Sequence, residues 1–216
     1  MKNNNKIFLC EFIASCFLVM IIVGSGIMAE NLTNDNAVRL LANTIATGAG
    51  LFVLITAFAN ISGAHLNPFV SLSMYLTKRI KGKELLTFIP AQILGCLLGV
   101  MLANVFFEHS IIELSTKNRD GFHIFLSEII ATFGLIFIIF ATQKDGKIII
   151  AASVATYIMA GYWFTSSTSF ANPAVAIART FTDSFTGINY LNTPTYILAE
   201  FLGALIAVYF IKKLIK

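Results

Sequence analysis

Two stretches of the sequence share one pattern, SGAHLNPFV at residues 62–70 and STSFANPAV at residues 167–175. Both contain Asn-Pro-x-Val. Asparagine is a favoured N-cap and proline is favoured at the first helical position, so each stretch predicts the start of a helix. The apolar runs that follow, Pro68–Leu76 and residues 173–181, have nine residues each, which make about 13 Å of helix against about 30 Å of hydrocarbon. Each helix is therefore expected to cross only half of a membrane.

The composition is that of an integral membrane protein. Of the 216 residues, 57% are hydrophobic and 12% are charged, and the mean hydropathy is +0.80. Six apolar runs approach the length of about 20 residues that a transmembrane helix needs. They cover residues 7–29, 37–61, 85–107, 122–142, 148–164 and 196–211. The sequence thus predicts an all-α membrane protein with six transmembrane helices and two half-helices.

The basic residues are distributed unequally between the two sides of the predicted topology. Eleven fall on one side and four on the other, and the positive-inside rule then places both termini in the cytoplasm. The larger group is Lys2, Lys6, Lys78, Arg79, Lys81, Lys83, Lys144, Lys147, Lys212, Lys213 and Lys216, and the smaller is Arg39, Lys117, Arg119 and Arg179. Because the net charge of +4 sorts by loop in this way, it indicates a lipid bilayer as the partner and not nucleic acid.

The two halves of the chain repeat each other. Residues 11–22 align with residues 128–139 at Glu, Ile, Ala, Leu and the closing Ile-Ile, and residues 92–100 align with residues 200–208 at Leu, Gly, Leu and Val. Each half holds three spans with a half-helix between its second and third, and an odd number of spans gives the halves opposite orientations. We expect one channel domain over residues 1–216, with inverted repeats at about 1–110 and 120–216, in which the half-helix N-termini meet near the midplane.

Six spans, an inverted repeat and two Asn-Pro loops resemble the aquaporin and aquaglyceroporin (major intrinsic protein) family over essentially the whole chain. The second motif has the family's pattern intact, as Asn172-Pro173-Ala174, whereas the first reads Asn67-Pro68-Phe69. The resemblance implies a passive channel for water and small uncharged solutes, a homotetramer with one pore per subunit, and neither a cofactor nor catalytic residues. It implies that Asn67 and Asn172 direct side-chain amides into the pore at the midplane, while the positive helix ends oppose cations and protons. A plain N-cap is the alternative role for each asparagine.

The resemblance also implies a selectivity filter toward the outer mouth. Counting from the two asparagines places Thr47, Ala160, Ser169 and Val175 at the filter positions. A shift of one residue along the spans would present Ala46 or Gly161 instead. Val175 stands where the family usually has arginine, so we expect a wider and less polar constriction that admits glycerol-like polyols. Arg179, four residues further on, is expected in the outer vestibule, paired with Asp183 or solvated. The alternative is that its guanidinium folds back toward the pore and replaces the missing arginine.

Residues 167–179 are also similar to a bacterial branch of the family that is associated with arsenic detoxification. That similarity implies neutral metalloid hydroxides, such as arsenite, as further solutes. It also implies a bacterial inner membrane as the location.

Two carboxylates and one histidine inside the membrane have alternative interpretations. Glu11 and Glu128 occupy matched positions of the repeat and could relay protons in an ion-coupled secondary transporter, which inverted repeats also build. In the resembled family they instead brace the re-entrant loops by accepting backbone hydrogen bonds. His65 is expected at the cytoplasmic vestibule, either as a pH-dependent gate or as a neutral support of the loop. No spacing of His, Cys or carboxylate residues indicates a metal site.

Overall fold

The computed structural model describes residues 3–215 and forms eight helices within them. The helices are α1 (Asn3–Leu32), α2 (Asn36–Phe58), α3 (Pro68–Leu76), α4 (Gly82–Phe106), α5 (Phe122–Ala141), α6 (Lys147–Phe164), α7 (Pro173–Arg179) and α8 (Thr193–Leu214). Six of them, all except α3 and α7, are long and apolar enough to cross a membrane. The predicted fold class of six spans and two half-helices is confirmed. Lys2 and Lys216, members of the predicted cytoplasmic group, lie outside the described residues.

Both half-helices begin as the sequence predicts. The side chain of Asn67 accepts hydrogen bonds from the backbone N–H groups of the second and third residues after it, and Asn172 does the same for α7. The first half-helix ends at Leu76, as expected. The second ends at Arg179, two residues earlier than predicted, because the N–H groups of Thr180 and Phe181 bond to carbonyls three residues back and tighten the chain into a turn.

The packing of the helices repeats in the two halves. The pair α1 and α4 corresponds to α5 and α8, while α3 packs against α8 as α7 packs against α4. Matched glycines allow the largest of these contacts. A Cβ atom on Gly95 would lie 2.3 Å from the Phe12 carbonyl oxygen, and one on Gly203 would lie 2.4 Å from that of Ile129. Small residues of this kind let helix backbones approach closely in a membrane, and here they draw the spans together around a central cavity.

Candidate pore

A cavity of about 540 Å³ runs between the two halves of the bundle. One side of its wall is apolar and consists of side chains from the long helices α1, α2, α5 and α6. These are Leu18, Ile22, Leu51, Ile55, Leu135, Ile139, Ile150, Val154 and Ile158. The opposite side is formed by the two Asn-Pro loops and by the first turns of α3 and α7. The cavity therefore offers a polar stripe facing a hydrophobic wall.

The two asparagines both line this cavity, and the side chain of each donates a hydrogen bond to the opposite loop. The Asn67 Nδ2 atom donates to the Ala171 carbonyl oxygen at 2.6 Å, and the Asn172 Nδ2 atom donates to that of Leu66 at 2.8 Å. Each amide nitrogen carries two hydrogens, so one donor per asparagine is left over beside the cavity that both residues line. The same side chains cap the half-helices, but capping uses only their oxygen atoms. One amide N–H of each asparagine therefore stays available.

The loops before the asparagines adopt a repeated and costly conformation. Positive φ angles occur at Gly63, Ala64 and Leu66 and, 105 positions later, at Thr168, Ser169 and Ala171. Non-glycine residues persist in this region only when the surrounding structure holds them there. Within the part of the chain that the structure describes, the carbonyls of residues 63–65 and 168–170 accept no hydrogen bond, so these acceptors are free for molecules in the cavity.

Fully buried carboxylates hold both loops in this conformation. Glu11 accepts hydrogen bonds from the backbone N–H groups of His65 and Leu66 at 3.1 and 2.8 Å, and further ones from the side chains of Ser62 and Gln92. Glu128 accepts hydrogen bonds from two successive N–H groups of the second loop, at 2.9 and 2.8 Å. This geometry corresponds to the bracing interpretation of the two glutamates.

Glu200 adds a third such contact, because it accepts a hydrogen bond from the Asn172 N–H at 3.0 Å. The sequence repeat pairs Glu200 with neutral Gln92, which supports Glu11 from the same place in the first half. Five backbone N–H groups of the irregular loops, those of residues 65, 66 and 170–172, thus have a buried carboxylate acceptor at membrane depth.

Three of the four residues expected at the filter lie in the cavity wall. Thr47, Ser169 and Val175 line the cavity, whereas Ala160 is exposed on another face of α6. Tyr162, two residues after Ala160, lines the cavity instead, and its hydroxyl lies 3.1 Å from the Thr47 Oγ1 atom. The placement of Ala160 is wrong because a shift of two residues along a helix rotates the side-chain direction by about 200°. The four-residue spacing of cavity residues on α6 is the sequence signal that identifies this face.

Arg179 departs most from its sequence-based placement. Its side chain is only 3% exposed and lines the cavity. The Nε atom donates to the Thr186 carbonyl, and the guanidinium carbon lies 3.5 Å from the centre of the Phe170 ring. Asp183, its expected partner, instead accepts hydrogen bonds from the backbone and side chain of Thr116. The cavity wall therefore keeps a guanidinium, although Val175 stands at the position where the family usually has arginine.

His65 lies in the wall of the first loop. Its Nδ1 atom is 2.9 Å from the Ser71 hydroxyl, and its ring stacks on Phe88 with centroids 4.2 Å apart. Both contacts hold the imidazole in place beside the cavity.

The remaining motif residues, Pro68, Phe69, Pro173 and Ala174, lie behind the pore-lining surface. The Phe69 ring packs against that of Phe201 at 5.8 Å, which connects α3 to α8. Among residues 3–215 no group of three His, Cys, Asp or Glu residues could hold a metal ion.

The loop between α4 and α5 brings two more cations to the end of the cavity where Arg179 lies. The Lys117 Nζ atom donates to the Phe185 carbonyl at 2.6 Å, and the Arg119 Nε atom donates to that of Gly187 at 2.8 Å. Burial, together with the positive charges of Arg119 and Arg179, lowers the pKa of Lys117 to about 8. Burial also lowers the pKa of Arg119.

Comparison with known proteins agrees with this architecture. Residues 1–209 match the family model described as major intrinsic protein. The aquaglyceroporin AqpS of Rhizobium meliloti (strain 1021) is 46% identical over 91% of this chain and 84% of its own length, and the aquaporin TIP1-2 of Musa acuminata is 31% identical over 94% and 83%. The X-ray structure of the aquaglyceroporin from Plasmodium falciparum superimposes with a TM-score of 0.79 at 20% identity, covering 98% of this chain and 97% of the other. The chain belongs to the major intrinsic protein family.

Proposed function

We propose that the protein is a passive channel for water and small uncharged solutes. The observation that carries this proposal is the pair of asparagine amides at the N-termini of two half-helices, each with a spare N–H donor beside one continuous cavity. A passing molecule exchanges hydrogen bonds with these donors and with the free loop carbonyls, and no chemical step is needed. Membership of a family of channels agrees with this function and not with an enzyme.

The shape of the wall favours solutes somewhat larger than water. A polar stripe facing aliphatic side chains suits a molecule with hydroxyl groups along one edge, such as glycerol, or a neutral metalloid trihydroxide such as arsenite. The names of the Rhizobium and Plasmodium aquaglyceroporins support a solute of this size class. We propose Thr47, Tyr162, Ser169 and Val175 as the residues that select among such solutes.

The charge distribution along the cavity opposes cations. Its described lining residues include Arg79, Lys147 and Arg179 and no carboxylate. The two half-helix N-termini add partial positive charges near the asparagines. A unit charge repels another at 4 Å by about 4 kcal/mol at an effective dielectric constant of 20, so a cation held fixed at that distance from the path of a passing ion slows cation passage strongly.

The basic residues at the two ends of the protein support a proposed orientation in the membrane. Lys78, Arg79 and Lys212 lie together around one surface pocket. Lys117 and Arg119 lie at the opposite, Arg179 end of the protein. We propose that the first end faces the cytoplasm of a bacterium, with both termini on that side of its inner membrane, and that four subunits assemble with one pore each.

An ion-coupled transporter is the less supported alternative. It would need Glu11 or Glu128 as a proton carrier, but both carboxylates are occupied by loop hydrogen bonds. The relatives reported above are named aquaporins and aquaglyceroporins.

Osmotic swelling of proteoliposomes tests the proposal. In Asn172→Asp the side-chain oxygen can still cap α7, but the carboxylate replaces the amide donor beside the cavity and the bond to the Leu66 carbonyl is lost. We expect water and glycerol flux to fall well below wild type. Asn118→Asp, at an exposed loop position, is the matched control and should leave both fluxes unchanged. Wild-type flux in Asn172→Asp would contradict the assigned role of the amide.

A further inference from the structure

We propose that Arg179 is the arginine that sets the selectivity of this pore, one helical turn further along α7 than the position the family usually uses. The inference rests on the proposed channel function and concerns the same cavity. Val175, at the usual position, lines the cavity but offers no hydrogen bond. Arg179 follows it by four residues and lies on the same helix face, about 6 Å further along the axis.

The guanidinium has donors to spare. Of its five N–H groups, the one on Nε is used by the Thr186 carbonyl, and the planar group rests on the Phe170 ring. The Arg179 side chain donates no other hydrogen bond within residues 3–215. The four N–H groups on the two terminal nitrogens therefore remain available to molecules in the cavity that the side chain lines.

The segment that holds Arg179 is itself held by cations. Three successive carbonyls, those of residues 185–187, accept hydrogen bonds from positively charged side chains. Lys117 and Arg119 both bind the Phe185 carbonyl, at 2.6 and 3.0 Å, and Arg119 also binds that of Gly187.

Glu30 completes the support of this segment from α1, because it accepts a hydrogen bond from the Phe185 N–H at 2.6 Å. The Arg119 guanidinium also lies 5.4 Å from the centre of the Phe170 ring, on which Arg179 rests. A side chain fixed from two directions in this way keeps its charge at one place in the pore.

This arrangement places the usual filter position and the positive charge at two different levels of the pore. The level of Val175 is apolar, and the level of Arg179 supplies both the positive charge and the hydrogen-bond donors. Together they specify an uncharged solute that presents an acceptor oxygen to Arg179 and tolerates an aliphatic neighbour at Val175. Cations that enter from the Arg179 end of the cavity meet the guanidinium before they reach the asparagines.

The alternative is that Arg179 only supports the loop, and a swap of the two side chains distinguishes the roles. Proteoliposomes would contain Arg179→Val, the double variant Val175→Arg/Arg179→Val, or the control Lys83→Gln, which removes a positive charge from an exposed position outside the cavity wall. Proton leak would be followed with an internal pH-sensitive dye under an imposed potential, alongside water and glycerol flux. We expect the leak of Arg179→Val to rise by on the order of tenfold or more, the swap to restore a low leak, and Lys83→Gln to resemble wild type.

Two outcomes would overturn the proposal. One is that Arg179→Val has the same proton leak and the same glycerol-to-water flux ratio as wild type. The other is that the swap variant leaks as much as Arg179→Val, which would assign the increased leak to the lost contact with the loop. Arg179→Lys keeps the charge and should keep the leak low, so it serves if the valine variant fails to fold. Wild-type protein that conducts neither water nor glycerol would instead refute the channel function itself, independently of Arg179.

Discussion

Replacing Glu11 by glutamine is expected to loosen the first re-entrant loop and leave the second intact. Each carboxylate oxygen of Glu11 accepts one backbone N–H: Oε1 from His65 at 3.1 Å and Oε2 from Leu66 at 2.8 Å. Glutamine offers only one acceptor oxygen, so in either orientation its NH₂ group faces a buried N–H donor. An unsatisfied buried donor costs about 1–3 kcal/mol, which corresponds to a roughly 5- to 150-fold increase in the local opening constant at about 1.4 kcal/mol per factor of ten.

Hydrogen exchange followed by mass spectrometry measures this opening loop by loop. In Glu11→Gln we expect protection to fall by that factor for peptides covering residues 62–67, with no change for residues 167–172. Glu128→Gln is the matched control, because its two oxygens accept the N–H groups of Phe170 and Ala171, and it should show the reverse pattern. Equal protection in both variants and wild type, or equal loss in both loops, would refute the bracing role of the carboxylates.

Two further predictions concern helix contact and the outer loop. In Gly99→Ala the new Cβ atom would lie 2.3 Å from the Cys16 carbonyl oxygen, so thermal unfolding in detergent should show a destabilisation of about 1–3 kcal/mol. The control Gly24→Ala, whose new Cβ atom would have its nearest neighbour at 3.4 Å, should unfold like wild type. A Gly99→Ala protein as stable as wild type would contradict the close contact of α1 and α4. Lys117 should lose its proton near pH 8. Arg119→Gln should raise the pKa of Lys117, because one neighbouring positive charge is removed. Chemical-shift titration of methylated lysines measures this pKa, and a midpoint above about 10 in the wild type, near the ordinary lysine value, would contradict the prediction.

The helices could be predicted from the sequence because their signals are local. Length and hydropathy identify the six spans, and the Asn-Pro pairs mark the first residues of α3 and α7. The end of α7 is harder to predict, because no proline or glycine marks it. It ends where the N–H groups of Thr180 and Phe181 bond to carbonyls three residues back.

The filter could be predicted only in part, because a side chain's direction depends on helix rotation. Thr47, Ser169 and Val175 lie in the cavity wall, but Ala160 does not. The irregular turn between α6 and the second loop breaks the residue count from Asn172, and an error of two residues moves the prediction from Tyr162 to the opposite side of α6.

The position of Arg179 depends on residues that are distant in sequence from α7. Local spacing favours a pair with Asp183 one turn away, yet the chain directs Asp183 to Thr116 and Arg179 to the Thr186 carbonyl. That carbonyl is presented by a segment held from another loop by Lys117 and Arg119. No periodicity or motif reports such a contact.

Stopped-flow light scattering on proteoliposomes of the wild-type protein distinguishes a passive channel from an ion-coupled transporter. Water and glycerol flux would be compared with those of protein-free liposomes, with and without an imposed proton gradient. For a passive channel we expect fluxes well above the control that run only downhill and do not change with the gradient. Glycerol accumulation driven by the gradient would contradict the passive channel and would return Glu11 and Glu128 to the role of proton carriers.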